Sequence, residues 1–155
     1  MEAIRALMVA KRSARAGRTQ TINQARALIV TGPEDIRTRF ARYATADLVA
    51  GLASLRPRPG SMVRYHTLLS LCELGRRAQF LDGQLERLDE LIVALVTARA
   101  PGLLSLDGAG PDTAAKLLIA AGDHPGRLRS EAAWAHLCAA APIPASSGKV
   151  IPTRT

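Results

Sequence analysis

The sequence has few of the residues that build disulfide scaffolds, metal sites and base-stacking surfaces. Its cysteines, Cys72 and Cys138, are too few and too far apart for a disulfide framework or a metal site, so we expect a reducing cytoplasm. One Trp, two Tyr and two Phe provide little material for stacking nucleic-acid bases. No apolar run reaches membrane-spanning length and the first residues lack a signal-peptide core, so we expect neither export nor a membrane partner.

The chain is strongly basic, and arginine supplies most of the charge. The formal net charge is +8, the pI is about 10.7, and lysine occurs only at Lys11, Lys116 and Lys149. Arginine prefers planar, bidentate contacts with phosphate, so this composition favours a nucleic-acid partner. A solvated basic surface is the alternative. The 155 residues suffice for one or two small helical units with a buried core.

Residues 1–30 predict one long, basic helix. Apolar residues recur there at steps of three and four, but Lys11, Arg15 and Arg18 interrupt the middle of that stripe, so the core-facing seam carries charge. This helix is the best candidate for holding a phosphate backbone, and a solvated helix face is the alternative. The candidate contacts are Arg5, Lys11, Arg12, Arg15, Arg18 and Arg26.

Two short helices should follow. The Thr-Gly-Pro sequence at 31–33 ends the first helix, and Pro33 with two acids begins the next, which is predicted to run through Tyr43. A third helix is predicted over residues 47–55. The Pro- and Gly-rich stretch at 56–60 then forms an internal boundary.

A second long helix is predicted from Ser61, a suitable N-cap, to Arg99. Its apolar residues alternate steps of three and four, the heptad signature of a coiled coil. They are Leu71, Leu74, Ala78, Leu81, Leu85, Leu88, Ile92 and Leu95. The partner is either the helix of residues 1–30, folded back antiparallel, or the same helix in a second subunit, which would make a homo-oligomer.

Residues 102–149 have the pattern of a helix-hairpin-helix. Gly108 and Gly110 permit positive φ, and Pro111 suits the first turn of the following helix, which should end near Gly122. The loop amides and the positive end of that helix, with Lys116, would then face a nucleic-acid phosphate. Lys149 is a further candidate for contact with a phosphate, and a solvated loop lysine is the alternative. A tight turn between two packed helices is the alternative. Ser130 is predicted to cap a last helix over residues 131–139, with Trp134, Leu137 and Cys138 buried.

These elements predict an all-α fold, in which a long antiparallel coiled coil precedes a small helix-hairpin-helix-like domain. The expected divisions are residues 1–60, a basic helix with two short helices; residues 61–100, the coiled-coil helix; and residues 101–155, the hairpin domain.

Three ordered motifs carry a family resemblance: Leu-Asp-Gly-Ala-Gly-Pro-Asp-Thr-Ala at 106–114, Ala-Gly-Asp at 121–123, and Ala-Pro-Ile-Pro-Ala-Ser-Ser-Gly-Lys at 141–149. They resemble the carboxy-terminal Tnp domain of insertion-sequence transposases of the DEDD class, which pair a RuvC-like domain with a serine-bearing domain and are guided by a bridge RNA. Lys-Arg-Ser-Ala-Arg at 11–15 and Arg-Thr-Gln-Thr-Ile-Asn-Gln at 18–24 are similar to the linker helix of that family. The resemblance covers essentially the whole chain.

The resemblance implies that Ser147 is the nucleophile, with Ser146 as the neighbour that a one-residue ambiguity would select. It places the RuvC-like domain, and the magnesium expected with it, before Met1. None of the 13 acids in this chain lies in a recognisable version of the metal-binding carboxylate site of that domain. The Tnp domain of the family also continues beyond residue 155. Asp107 stands where relatives commonly have proline. We therefore expect a truncated or internal piece without a metal site or cofactor of its own.

The resemblance thus implies the DNA-binding portion of a transposase, with DNA and a guide (bridge) RNA as partners and a cytoplasmic, nucleoid-associated location. Isolated, the chain is expected to be inactive, because the carboxylates would come from a partner. The alternative is a non-catalytic nucleic-acid-binding or assembly module left from a truncated transposase, in which Ser147 has no chemical role.

Overall fold

The computed structural model describes residues 1–122, 126, 128–137 and 140. In this part of the chain all regular structure is helical, as the sequence predicts, and there is no strand. The helices are α1 (Glu2–Thr31), α2 (Glu34–Phe40), α3 (Thr45–Ala53), α4 (Met62–Arg99), α5 (Pro111–Ala121) and α6 (Glu131–Leu137), with a 3₁₀ turn at Pro101–Leu103. None of the described helices is long and apolar enough to cross a membrane.

Several helix boundaries follow the local signals in the sequence. Pro111 is the first residue of α5, and Gly122, with φ of 71°, ends that helix as predicted. The backbone N–H of Ala133 donates to Ser130 Oγ at 3.2 Å, which confirms the predicted cap of α6. Three details differ. The helix α2 ends at Phe40 rather than Tyr43, and α3 runs from Thr45 to Ala53 rather than over residues 47–55. Ser61 occupies the N-cap of α4 without a side-chain hydrogen bond.

The long helices α1 and α4 pack against each other in antiparallel orientation. Lys11 contacts Asp89, and Arg18, seven residues further along α1, contacts Asp82, seven residues back along α4. This register confirms the prediction that α1 folds back onto α4 within one chain. Association of α4 with a second subunit stays a prediction.

The apolar core of this helix pair is concentrated at its two ends. One cluster joins the end of α1, α2, α3 and the beginning of α4; its buried members are Ala25, Ile29, Ile36, Phe40, Leu48, Leu52, Leu55, Leu68, Leu71 and Cys72. A second joins the beginning of α1, the end of α4 and α5, through Ile4, Ile92, Val96, Ala114, Ala115 and Leu118. The charged pairs of α1 and α4 lie between the two clusters, because Lys11 and Arg18 fall between Ile4 and Ala25.

The middle of the α4 heptad stripe is less buried than the sequence pattern indicates. Leu81, Leu85 and Leu88 are half-buried, whereas Leu71 and Ile92 are fully buried. Across from Leu81, α1 has a glycine: a Cβ at Gly17 would lie 3.7 Å from Leu81 Cδ1. Leu81 therefore faces a residue of α1 that has no side chain to cover it.

The helix α5 shares the second apolar cluster with α1 and α4, so the described part of residues 101–155 does not have a core separate from the coil. The predicted domain boundary at residue 101 coincides with the 3₁₀ turn and stays a prediction. Trp134 is half-buried. Cys138 and the side chain of Leu137, both predicted to be buried, lie outside the described part.

Candidate nucleic-acid interface

The basic residues predicted to bind phosphate divide into two groups on α1. Arg5, Arg12 and Arg26 are exposed, whereas Lys11 and Arg18 face α4. Arg5 pairs with Glu2 at 3.2 Å, and Arg26 Nη2 donates to Thr45 Oγ1 at 3.0 Å. The side chain of Arg12 has no hydrogen bond or ion pair with any described residue. These three arginines therefore retain surface for an anionic partner.

Lys11 is buried among carboxylates. Only 5% of the residue is exposed, and its ammonium Nζ donates to Asp89 of α4 and Asp112 of α5. Burial alone would lower the pKa of Lys11, but the hydrogen bonds and negative charges of the two aspartates outweigh that effect, so the pKa is raised. A buried and neutralised ammonium presents no charge to a ligand, so this position does not support the prediction that Lys11 contacts phosphate.

Arg15 and Arg18 are also held by carboxylates, but to different degrees. Arg15 Nη2 donates to Asp112 Oδ2 at 3.0 Å while its side chain remains 61% exposed. Arg18 pairs with Asp82 through Nε and also through Nη2, the latter at 3.3 Å, and its side chain is only 30% exposed. Arg15 thus borders both the interior ion-pair cluster and solvent, whereas Arg18 is engaged in the scaffold.

Asp112 is the centre of this cluster. Burial would raise the pKa of its carboxyl, but hydrogen bonds from Lys11 and Arg15 and their positive charges outweigh that effect and lower it. The carboxylate also belongs to the first turn of α5, where the helix dipole favours a negative charge. The positive end of α5 is therefore already close to an anion supplied by the protein.

The glycine loop before α5 is open to solvent. Gly108 has φ of 79°, as predicted, but Gly110 has φ of −63°, a conformation that any residue adopts. A Cβ at either glycine would meet no atom within 4 Å. The N–H of Ala109 already donates to Leu106 O at 3.0 Å, so one amide of the loop is used internally. Before the loop lies the short 3₁₀ turn, so the described structure contains the second helix of the predicted motif but no full first helix.

The remaining predicted site residues lie beyond this loop. Lys116 is exposed and follows Asp112 by one helical turn, which places the two on the same face of α5. Ser146, Ser147 and Lys149 lie outside the described residues. Among the described residues, no group of three or more His, Cys, Asp or Glu side chains is placed to hold a metal ion.

A shallow, open groove of about 840 Å³, lined by residues of α1 alone, follows the outer face of this helix. All of the residues that line it are exposed: Arg12, Arg15, Ala16, Thr19, Gln20, Asn23, Gln24 and Ala27. The arginines of this groove were predicted from the sequence as phosphate contacts, but its amide side chains were not. The sequence feature that indicates this amide face is the spacing of Gln20, Asn23 and Gln24, since residues three and four apart share a helix face.

The acidic partners in the coil were also not identified from the sequence. Asp82 and Asp89 pair with Arg18 and Lys11, which interrupt the apolar seam of α1. The sequence feature that indicates these ion pairs is the seven-residue step from Asp82 to Asp89, which matches the step from Lys11 to Arg18.

Residues 100–155 match the model of the Transposase IS116/IS110/IS902 family. The match begins just before the 3₁₀ turn, includes the glycine loop, α5 and α6, and contains Ser146, Ser147 and Lys149. No curated protein and no solved structure matches the chain. Residues 100–155 are thus similar to insertion-sequence transposases, and the match covers about a third of the chain.

Proposed function

We propose that this chain is the DNA-binding portion of an insertion-sequence transposase and that it carries the serine nucleophile of strand transfer. The observation that carries this proposal is the transposase match over residues 100–155, because the matched segment contains both Ser147, the candidate nucleophile, and its neighbour Ser146. The resemblance to DEDD-class enzymes adds a RuvC-like domain, outside this chain, and a guide RNA.

The exposed arginines of α1 support the binding half of the proposal. Arg5, Arg12 and Arg26 lie on the outer face of a 30-residue helix whose only acid is Glu2. Arginine contacts to phosphate release counterions from the duplex and supply affinity without sequence preference. Arg15, which retains most of its exposure, can add a contact next to Arg12.

The chemical half of the proposal is a transesterification. The hydroxyl oxygen of Ser147 forms a bond to phosphorus and its proton passes to a base, while the bond from phosphorus to the departing sugar oxygen breaks and that oxygen takes up a proton from an acid. Attack by another sugar hydroxyl then reverses the step and frees the serine. Magnesium would be bound by the carboxylates of the RuvC-like domain, outside this chain.

The binding half can be tested by the salt dependence of duplex binding. Reversing Arg5 and Arg12 to Glu should flatten the slope of log K against log salt by about two units or more, since each lost phosphate contact contributes about 0.9. Arg76→Glu with Arg87→Glu, on exposed positions of α4, is the control with the same charge change. Equal effects of the two double variants would remove the outer face of α1 from the proposal.

The chemical half can be tested by covalent capture of a labelled DNA strand. The full chain is mixed with a complete homologous transposase whose own serine is substituted, so that this homologue supplies only the carboxylates. The labelled adduct should form on the wild-type chain, persist in Ser146→Ala and disappear in Ser147→Ala. No adduct on any variant, while duplex binding persists, would contradict catalysis and favour a non-catalytic binding or assembly module. The use of Asp82, Asp89 and Asp112 in scaffold ion pairs is the observation that favours that alternative.

Self-association is a separate part of the proposal. The half-buried leucines of α4, together with the exposed Phe80 and Leu91, support a homo-oligomer formed through the coil. Sedimentation equilibrium should show a dimer or larger assembly that Phe80→Lys with Leu91→Lys converts to monomers. A wild-type chain that remains monomeric at high concentration would contradict this part alone.

A further inference from the structure

The outer face of α1 carries three amide side chains that the fold does not use. Gln20, Asn23 and Gln24 are exposed, line the shallow groove on α1, and make no side-chain hydrogen bond to any residue in the described part of the chain. Thr19 is different, because its hydroxyl donates to the carbonyl oxygen of Arg15 at 3.1 Å. The three amides are therefore free donors and acceptors on a single helix face.

The residues around these amides are arranged as a protein–DNA contact requires. Arg12 and Arg15 precede them along the groove by one to three turns. Arg26 is exposed, lies outside the groove lining and follows Gln24 by two residues. Arginines at both ends can fix the helix on phosphates, which gives position but no sequence information. Amide side chains between such anchors can supply that information, since Asn and Gln make bidentate contacts to N6 and N7 of adenine.

We propose that Gln20, Asn23 and Gln24 read base edges in the major groove of double-stranded DNA. This inference rests on the proposed function and adds direct sequence recognition by α1 to it. The chemistry of the face selects the occupant: it is uncharged at the centre, positive at both ends, and free of acids from Arg5 to Thr31. Such a face complements a duplex whose phosphates flank a groove of donors and acceptors.

The dimensions of the helix favour DNA over RNA. A helix about 10–12 Å across enters the major groove of B-DNA, which is about 12 Å wide. The segment from Arg12 to Ala27 is about 22 Å long, enough to cross the groove and contact phosphates on both sides. The major groove of A-form RNA is too deep and narrow for side chains to read, so a duplex RNA should not replace the DNA.

The test is selection of binding sites from a randomised DNA duplex library with the full chain. The wild type should enrich a short motif that contains adenine, and replacing one contacted adenine should weaken binding roughly tenfold or more. The triple variant Gln20→Ala, Asn23→Ala and Gln24→Ala should lose this preference. Its salt-dependent binding to random duplex should remain, because no charge is removed and alanine does not weaken the helix.

Two controls make the outcome specific. Gln79→Ala removes an exposed amide from α4 and should leave the motif unchanged. A duplex RNA of the same sequence should compete at least tenfold less well than the selected DNA. Circular dichroism of each variant verifies that the helices are retained.

Each other outcome overturns the inference in a distinguishable way. If the triple variant enriches the same motif as the wild type, the amides do not read bases. If the wild type enriches no motif but still binds duplex with a steep salt dependence, direct readout is wrong and the proposed function stands. If duplex RNA competes equally, the occupant is wrong. If the folded wild type binds no duplex at low salt, the inference and the proposed DNA-binding function fail together.

Discussion

Lys11 of α1 donates a hydrogen bond to Asp112 of α5 from a position that is only 5% exposed. The same ammonium contacts Asp89 of α4, so one positive charge connects three helices. Asp112 belongs to the segment that matches the transposase family, whereas Lys11 and Asp89 lie outside it. The matched segment is thus attached to the coil by charge as well as by the apolar cluster around Ile4 and Ala114.

Removing the Lys11 ammonium should destabilise the fold. Lys11→Met keeps the length of the side chain but leaves Asp89 without its cation and Asp112 with only Arg15. Breaking a buried pair costs about 3–5 kcal/mol. We expect a loss on the order of 2 kcal/mol, because Asp89 is partly solvated. Urea unfolding, followed by circular dichroism, measures this loss in the free energy of unfolding.

Arg5→Met, which breaks an exposed pair with Glu2, is the control and should cost less than about 1 kcal/mol. Equal losses would contradict a special role for Lys11.

The same cluster should make stability depend on pH. The folded pKa of Asp112 is lowered, so its contribution is complete above the unfolded value of about 3.9 and is lost as pH falls through the folded pKa. The pKa of Lys11 is raised, so its contribution is complete below the unfolded value near 10.4 and is lost as pH rises through the folded pKa.

The measurement is the free energy of unfolding of the wild type and Asp112→Asn across this pH range. The difference should be about 1–2 kcal/mol near pH 7 and shrink below about pH 4. Asp107→Asn, at an exposed position of the glycine loop, should differ from the wild type by less than about 0.5 kcal/mol. A difference for Asp112→Asn that stays constant down to pH 2 would exclude the ion pair as its cause.

Gly75 should not tolerate a side chain. A Cβ there would lie 2.7 Å from Leu52 Cβ and as close to the backbone of α3, so α3 and α4 would have to separate. We expect Gly75→Ala to destabilise the fold by about 1–3 kcal/mol despite the better helix propensity of alanine. Gly83→Ala, in the same helix and next to only the flexible tip of Arg87, should stabilise by up to about 1 kcal/mol. Thermal unfolding of both variants tests the pair, and the same sign for both would contradict the packing.

Truncating leucines along α4 should show that the middle of the coil contributes less than its end. Leu71→Ala removes a fully buried side chain and should cost about 2–5 kcal/mol. Leu85→Ala removes a half-buried side chain with the same heptad spacing and should cost less than about 1.5 kcal/mol. Denaturant midpoints compare the two. A larger loss for Leu85→Ala would indicate that a partner, such as a second subunit, covers the middle of α4.

Much of the fold was predictable because local signals specify it. The periodicity of apolar residues predicted α1 and α4 and their antiparallel packing, and Pro111, Gly122 and Ser130 marked helix ends through backbone geometry and capping. These signals depend on neighbours within one or two turns. The family resemblance, which the sequence motifs carried, agrees with the transposase match over residues 100–155.

The candidate site was only partly predictable, since a basic helix has more than one face and composition does not say which charges remain exposed. Lys11 and Arg12 are adjacent in sequence, yet the first is buried against two aspartates and the second is exposed. Whether a cation is paired depends on acids that are 78 and 101 residues away. No local pattern contains that information, although the matching seven-residue steps in α1 and α4 contain part of it.

The sequence by itself determined where the helices begin and end, because backbone hydrogen bonding and apolar periodicity act over a few residues. Only the tertiary structure decided which arginines face solvent, which amides are left without partners, and that α5 docks on the coil. Those outcomes depend on the register of α1 against α4, which brings distant charges together and removes water from some of them.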